Sequence, residues 1–260
     1  MHHALWLLQI HRENQLRRTY AAFLAVLFLL LSGCSTSRDT TQILTGQHPY
    51  AFSREIKKIV SANYLLYLPD GYGKEDKQWP LVLFLHGSGE RGPDLNRVKV
   101  HGPPKLVENG KKFDFIVVSP QCPRDEEWSE DVLGALLDEV EGRYAVDRSR
   151  IYVTGLSMGG YGTWRLGMAF PDRFAALVPI CGGGSAVKVC SLKDIPIRVY
   201  HGKKDKSVPL EEAQKLVERL KACGGNVELI EYPDAGHDSW TETYNNTGLY
   251  EWMLKQSLKK

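Results

Sequence analysis

Arg150-Ile151-Tyr152-Val153-Thr154-Gly155-Leu156-Ser157-Met158-Gly159-Gly160 is the stretch whose reading decides the fold. Arg150 to Thr154 is a short β-branched run, the composition of a buried parallel strand. Gly155-Leu156-Ser157-Met158-Gly159 then sets a serine between two glycines. A turn from strand to helix is tight there, and a side chain at Gly155 or Gly159 would collide with the neighbouring strand or helix. Gly160 to Ala169 continues as a helix, with Pro171 just past its end. The stretch reads as a strand–elbow–helix unit that presents the Ser157 hydroxyl as a candidate nucleophile. The alternative is a glycine-rich turn with an incidental serine.

A serine hydroxyl is a weak nucleophile near neutral pH and needs a base, which in turn needs a group to orient it. In an elbow architecture these partners follow in the order serine, acid, histidine. Ile197 to Gly202 reads as a buried strand, and Asp205 lies just past its end. Val227 to Tyr232 reads as the next strand, and His237 lies on the loop beyond it. Three polar residues, each beyond the end of its own strand, converge on the carboxyl edge of a parallel sheet, where open α/β sheets bind ligands. Taken singly, Asp205 also fits a turn aspartate and His237 a solvated loop histidine. Asp234 and Asp238 are rival acids, each too near His237 in sequence for the usual geometry.

With these residues in view, the chain resembles α/β-hydrolases of the bacterial esterase and predicted-peptidase type, a group related to feruloyl and acetyl esterases, polyhydroxybutyrate depolymerases and dienelactone hydrolases. The resemblance is carried by His86-Gly87-Ser88-Gly89-Glu90-Arg91-Gly92, Gly155 to Gly160, His201 to Pro209 and Gly236-His237. It implies a serine esterase with Ser157, Asp205 and His237 as catalytic triad. Dienelactone hydrolases use a cysteine nucleophile, so serine at 157 speaks against that branch. The resemblance also implies an oxyanion hole made by the backbone amides of Ser88, on the loop after the apolar strand Pro80 to Leu85, and of Met158. His86 is expected to hydrogen-bond beneath that loop. Glu90 and Arg91 either contact substrate or pair with each other.

The amino terminus carries a second signal. Arg17 and Arg18 precede Tyr20 to Leu31, an apolar run shorter than the about 20 residues that span a bilayer. It fits the core of a signal peptide. The run ends in Leu31-Ser32-Gly33-Cys34, which resembles a bacterial lipobox with Cys34 as the lipidated thiol. Met1 to Leu16 is long for the segment before such a core, which puts the true start further along. The expected organisation is a lipoprotein signal peptide over 1–33, a polar tether over 34–49 and a catalytic domain over 50–260. Two or more acyl chains anchor stably where one does not. Ser35 after Cys34 resembles outer-membrane sorting, so the expected location is the cell envelope.

Charge excludes one class of partner. The chain has 33 basic and 31 acidic side chains. Removing 1–33 takes away Arg12, Arg17, Arg18 and Glu13, which leaves the two signs in balance and no basic footprint for nucleic acid. Beyond Cys34 stand Cys122, Cys181, Cys190 and Cys223. Four cysteines permit three pairings, and Cys181 with Cys190, bracketing a glycine-rich loop, is one candidate. No metal motif and no cofactor are implied.

The remaining pattern alternates strands and helices. Ser53 to Val60 and Asn63 to Leu68 read as an initial antiparallel pair, Phe115 to Ser119 and Leu177 to Cys181 as further strands. Asp131 to Tyr144, Leu210 to Ala222 and Leu249 to Ser257 read as helices. The expected architecture is an α/β-hydrolase fold, a mostly parallel sheet with helices on both faces. Trp128, Trp240 and Arg91 are candidate substrate contacts, the two indoles lining an aromatic or sugar-binding cleft or else packing in the core. No long apolar insertion is present to serve as a lipase lid, which favours soluble esters, such as acyl or feruloyl groups on polysaccharide. A peptidase with the same triad and a non-catalytic binding lipoprotein are the competing functions.

Overall fold

The computed structural model describes residues 47, 51–74 and 76–258. The proposed signal peptide, Cys34 and all of the tether but Gln47 lie outside them. Lys57–Lys260 forms one compact unit. Among the described residues no helix is long and apolar enough to cross a membrane.

Seven strands make one sheet: β1 (Tyr64–Tyr67), β2 (Trp79–Leu85), β3 (Ile116–Pro120), β4 (Val146–Leu156), β5 (Ala176–Ile180), β6 (Ile197–Gly202) and β7 (Val227–Tyr232). Their spatial order is β1-β3-β2-β4-β5-β6-β7. Only β1 runs antiparallel, against β3; the other neighbours are parallel. Among the described residues six α-helices accompany it: α1 (Gly102–Glu108), α2 (Glu130–Arg143), α3 (Met158–Ala169), α4 (Leu210–Ala222), α5 (Trp240–Asn245) and α6 (Thr247–Leu254).

The apolar runs become buried strands because alternate side chains serve two cores. Leu81, Leu83 and Leu85 of β2, with Ile151 and Val153 of β4, face one core and meet the stripes of α2, α3 and α4. Val82 and Phe84, with Tyr152, face the other, which is closed by Tyr244, Leu249, Tyr250 and Met253. This is the expected parallel sheet covered on both faces.

Two expectations are corrected. Residues 53–60 form no strand; Ile56 and Ile59 are 83% and 99% exposed. The antiparallel partner of β1 is β3 instead, with Tyr64 opposite Pro120 and Tyr67 opposite Val117. The apolar residues of 53–60 do not alternate, whereas β3 offers β1 a fully buried strand. The second correction concerns the cysteines. Cys190 bonds to Cys223, whose Cα atoms are 5.7 Å apart, not to Cys181. Cys181 ends up buried beneath Ser157, and Cys122 is also a free, buried thiol. Smaller shifts lie at element ends: β4 begins at Val146, four residues early, because Val146 pairs with Trp79 across a register irregularity.

Candidate active site

Ser157 sits where β4 turns into α3, with φ 52° and ψ −116°. A non-glycine residue in that region costs roughly 1–3 kcal/mol and persists only where the surroundings hold it. They do so here through the backbone. The Ser157 amide donates to the Ile180 carbonyl at 3.0 Å and lies 3.3 Å from Cys181 Sγ, which fastens the elbow to the end of β5. A Cβ on Gly159 would collide with the Leu85 carbonyl, so only glycine lets α3 start this close to β2.

Asp205 and His237 arrive from beyond the ends of β6 and β7. His237 Nδ1 lies 2.7 Å from Asp205 Oδ2, and its Nε2 lies 3.0 Å from Ser157 Oγ. With Nδ1–H donating to the carboxylate, Nε2 is the acceptor for the serine hydroxyl. The Asp205 side chain is fully buried and is held by more than the histidine: Oδ1 accepts from the Ser207 and Val208 amides at 2.8 and 3.0 Å. Burial alone would raise this carboxyl. The hydrogen bonds from His237, Val208 and Ser207, with attraction to His237, outweigh it and hold the group below its ordinary value. His237 reaches across because Gly202, at the end of β6, has no Cβ to strike the Gly236 carbonyl.

A pocket of about 310 Å³ opens beside Ser157 and is also lined by Ser88, Met158, Arg91, Trp128, Tyr161 and Arg165. Ser88 starts a short 3-10 turn after β2, and Met158 is the first residue of α3, where the amide has no intrahelical acceptor. His86 braces this loop as expected. It is buried, its Nδ1 lies 2.7 Å from the Gly87 carbonyl, and its Nε2 accepts from the Cys122 amide at 3.0 Å. Burial pulls its pKa down to about 4.

Arg91 does not pair with Glu90. It donates to the carbonyls of Ser88 and Glu126, at 3.1 and 3.0 Å, and so ties the turn at Ser88 to the loop before α2. Glu90 Oε1 instead lies 3.7 Å from His101 Nε2. Trp128 is buried, donates to the His86 carbonyl at 3.1 Å and forms part of the pocket wall. Trp240 is not among the residues lining that pocket. Its ring packs at 89° against His237 and its N–H points to His101 Nδ1 at 3.3 Å.

Sequence reasoning gave no role at the site to four of its neighbours. His201, whose Nε2 lies 2.9 Å from the Val208 carbonyl and 3.3 Å from Asp205 Oδ2, supports the acid from below. Its place in the run His201 to Asp205 was the available signal. Cys181 lies under Ser157, and Tyr161 and Arg165 join the pocket one helical turn and two turns after the elbow. Cys181, Asp205 and His237 are also the one trio of metal-ligand types clustered among the described residues, within 4.8 Å of one another. Burial pushes the Cys181 thiol up to about 12, and the other two are hydrogen-bonded to each other and to Ser157.

The pattern described as the Dienelactone hydrolase family matches residues 44–251. The chain belongs to the dienelactone hydrolase family. Serine at position 157 therefore does not place it outside that family, contrary to the argument from Ser157 alone. It is similar to a probable feruloyl esterase C of Aspergillus niger, 25% identical over 224 residues that cover 83% of this chain and 81% of that protein. A poly(3-hydroxyoctanoate) depolymerase of Pseudomonas fluorescens is 28% identical, over 62% of this chain and 68% of its own. Among solved structures, a thermostable esterase is 38% identical with a TM-score of 0.64, over 75% of this chain. The chain spans 59% of that structure's length. Est1E of Butyrivibrio proteoclasticus bound to ferulic acid shares the fold, at 17% identity and a TM-score of 0.57 over 75% of this chain and 95% of its own. This member of the family is an esterase-type hydrolase with the α/β-hydrolase fold, acting on ester bonds.

Proposed function

We propose that the protein is a serine carboxylesterase for soluble carboxylic esters, with acyl or feruloyl groups on polysaccharide as its substrate class. The observation that carries this reading is the unbroken chain of hydrogen bonds from Asp205 through His237 to Ser157 at the mouth of a pocket. Ser157 Oγ attacks the ester carbonyl while His237 Nε2 takes its proton. Asp205, kept ionised by its three donors, orients the imidazole and stabilises its charged form. The amides of Ser88 and Met158 receive the oxyanion, and the amino end of α3 adds its dipole at the same point. His237 then protonates the departing alcohol. Water, deprotonated by His237, opens the acyl-enzyme and restores the serine.

The relatives named as feruloyl esterase and as bifunctional acetylxylan esterase/xylanase support the substrate class. The polar pocket wall formed by Ser88, Arg91 and Arg165 supports it independently. We further assign 1–33 as a lipoprotein signal peptide, 34–49 as a tether and Cys34 as the anchored residue, which puts the catalytic domain, 50–260, in the cell envelope.

A fluorophosphonate probe tests the nucleophile: it labels the parent protein and not Ser157→Ala. Hydrolysis of p-nitrophenyl acetate is expected to fall by about 10⁶-fold in kcat in that variant. Ester hydrolysis retained at the parental rate would end the proposal. Methyl ferulate and acetylated xylan, assayed side by side, identify the acyl group.

A further inference from the structure

Tyr161 and Arg165 line a second pocket as well as the one at Ser157. It measures about 480 Å³, and its other walls include Glu130, Met168, Ser185 and Lys188. The two pockets therefore adjoin along α3. One side of the second pocket is the outer face of that helix. The other is the loop that leaves β5, from Gly182 to Lys188.

That loop is built to lie against the helix. A Cβ on Gly183 would stand 2.9 Å from the Tyr161 ring, and one on Gly184 3.2 Å from the Trp164 side chain. The far end of the loop runs into a 3-10 turn, Val189–Leu192, whose Val189 and Leu192 are buried and whose Cys190 is bonded to Cys223 after α4. Both ends of the wall are thus fixed, and the space between loop and helix is a feature of the fold.

The lining chemistry narrows the occupant. Charges compensate: Arg165 Nη2 meets Glu127 at 3.0 Å, its Nε lies 3.8 Å from Glu130, and Lys188 adds a second cation on the opposite wall. Hydroxyls come from Ser185 and Tyr161, and apolar surface from Met168 and the Tyr161 ring. An aliphatic chain would leave these polar groups desolvated without partners. A polyanion would meet the Glu130 carboxylate in the wall and an Arg165 already engaged by Glu127 and Glu130. A neutral ring with hydroxyls at its rim and C–H groups on its face satisfies both kinds of surface. We propose that the second pocket holds a sugar residue of the carbohydrate portion of the ester whose scissile bond lies at Ser157. The assignment of the sugar as part of a substrate rests on the esterase reading above.

Calorimetry on the full-length Ser157→Ala protein reads the subsite without chemistry, with xylohexaose, cellohexaose and mannohexaose as probes. At least one hexaose is expected to bind saturably. Ser185→Trp, which fills the pocket from its exposed rim, is expected to weaken it by about tenfold or more. Lys188→Ala, which removes a donor and no packing, is expected to weaken it by about fivefold. In the Ser157-containing protein, Ser185→Trp lowers the ratio of kcat/KM for an acetylated xylo-oligosaccharide to that for p-nitrophenyl acetate by about tenfold. Absence of binding by all three hexaoses, or equal affinity in the parent and both variants, overturns the subsite. A protein that binds a hexaose through Ser185 and Lys188 yet hydrolyses no ester supports the subsite and overturns the esterase reading.

Discussion

Asp205 shows at the level of one residue how environment decides function. Its carboxyl is fully buried, yet three donors keep it ionised, so His237 always finds a charged partner. Replacement by Asn removes the charge and allows the wrong imidazole tautomer. Asp205→Asn is expected to cost about 10⁴-fold in kcat while leaving KM within a few-fold; a kcat within tenfold of the parent would contradict the role. His86 makes the opposite case, a buried group kept neutral. Its unfolded value is near 6.5 and its folded value about 4. Between those values the unfolded chain holds the extra proton, so this contribution is full above pH 6.5 and is lost as pH falls toward 4. At most about 3 kcal/mol is at stake. Denaturation midpoints measured from pH 7 to 4.5 are expected to decline, and His86→Asn to flatten the decline. An unchanged slope in the variant would assign the acid sensitivity elsewhere. Both residues were quoted from sequence, but their pKa directions come from burial, which no local pattern discloses.

At the level of elements, the elbow and the disulfide carry separate consequences. The β4–α3 junction packs backbone against backbone, with Gly159 touching the carbonyl end of β2. Gly159→Val is expected to displace the helix start and with it the Met158 amide, reducing kcat by about 10²-fold, the loss seen when an oxyanion donor is removed. Binding of a substrate analogue and the folded circular dichroism spectrum check that the loss is one of chemistry. The bond between Cys190 and Cys223 closes a loop over a sequence separation of 33 residues. In the chain-entropy account it stabilises by about 3–4 kcal/mol. Cys190→Ser, or reduction, is expected to lower Tm on the order of 10 °C, and a Tm unchanged on reduction would show that the bond does not form in solution. Helices α2 and α4 and strands β2, β6 and β7 were legible to within a residue, because short apolar runs bounded by turn residues and period-3.6 apolar stripes report burial directly. Residues 53–60 were misread because Ile56, Ile59 and Val60, just before β1, suggested a partner that the sheet does not use.

For the whole molecule, the expected setting is outside the cytoplasm. Cys34→Ala is predicted to leave the precursor unprocessed by the lipoprotein peptidase, and metabolic labelling with palmitate reads this directly. Normal maturation and membrane retention of the variant would remove the anchor from the account. Within the folded unit, the order serine, acid, histidine was readable because each group follows its own strand, and parallel strands deliver their carboxyl ends to one edge. The sequence by itself determined the parallel strands, the elbow and which three polar residues follow strand ends, since these rest on local sterics and periodicity. The tertiary structure alone decided how far apart those residues lie, which cysteines meet, what Arg91 and Trp240 touch, and that a second pocket adjoins the first. Each of these depends on segments remote in the chain approaching to within a few ångströms, and that approach is set by packing across the sheet.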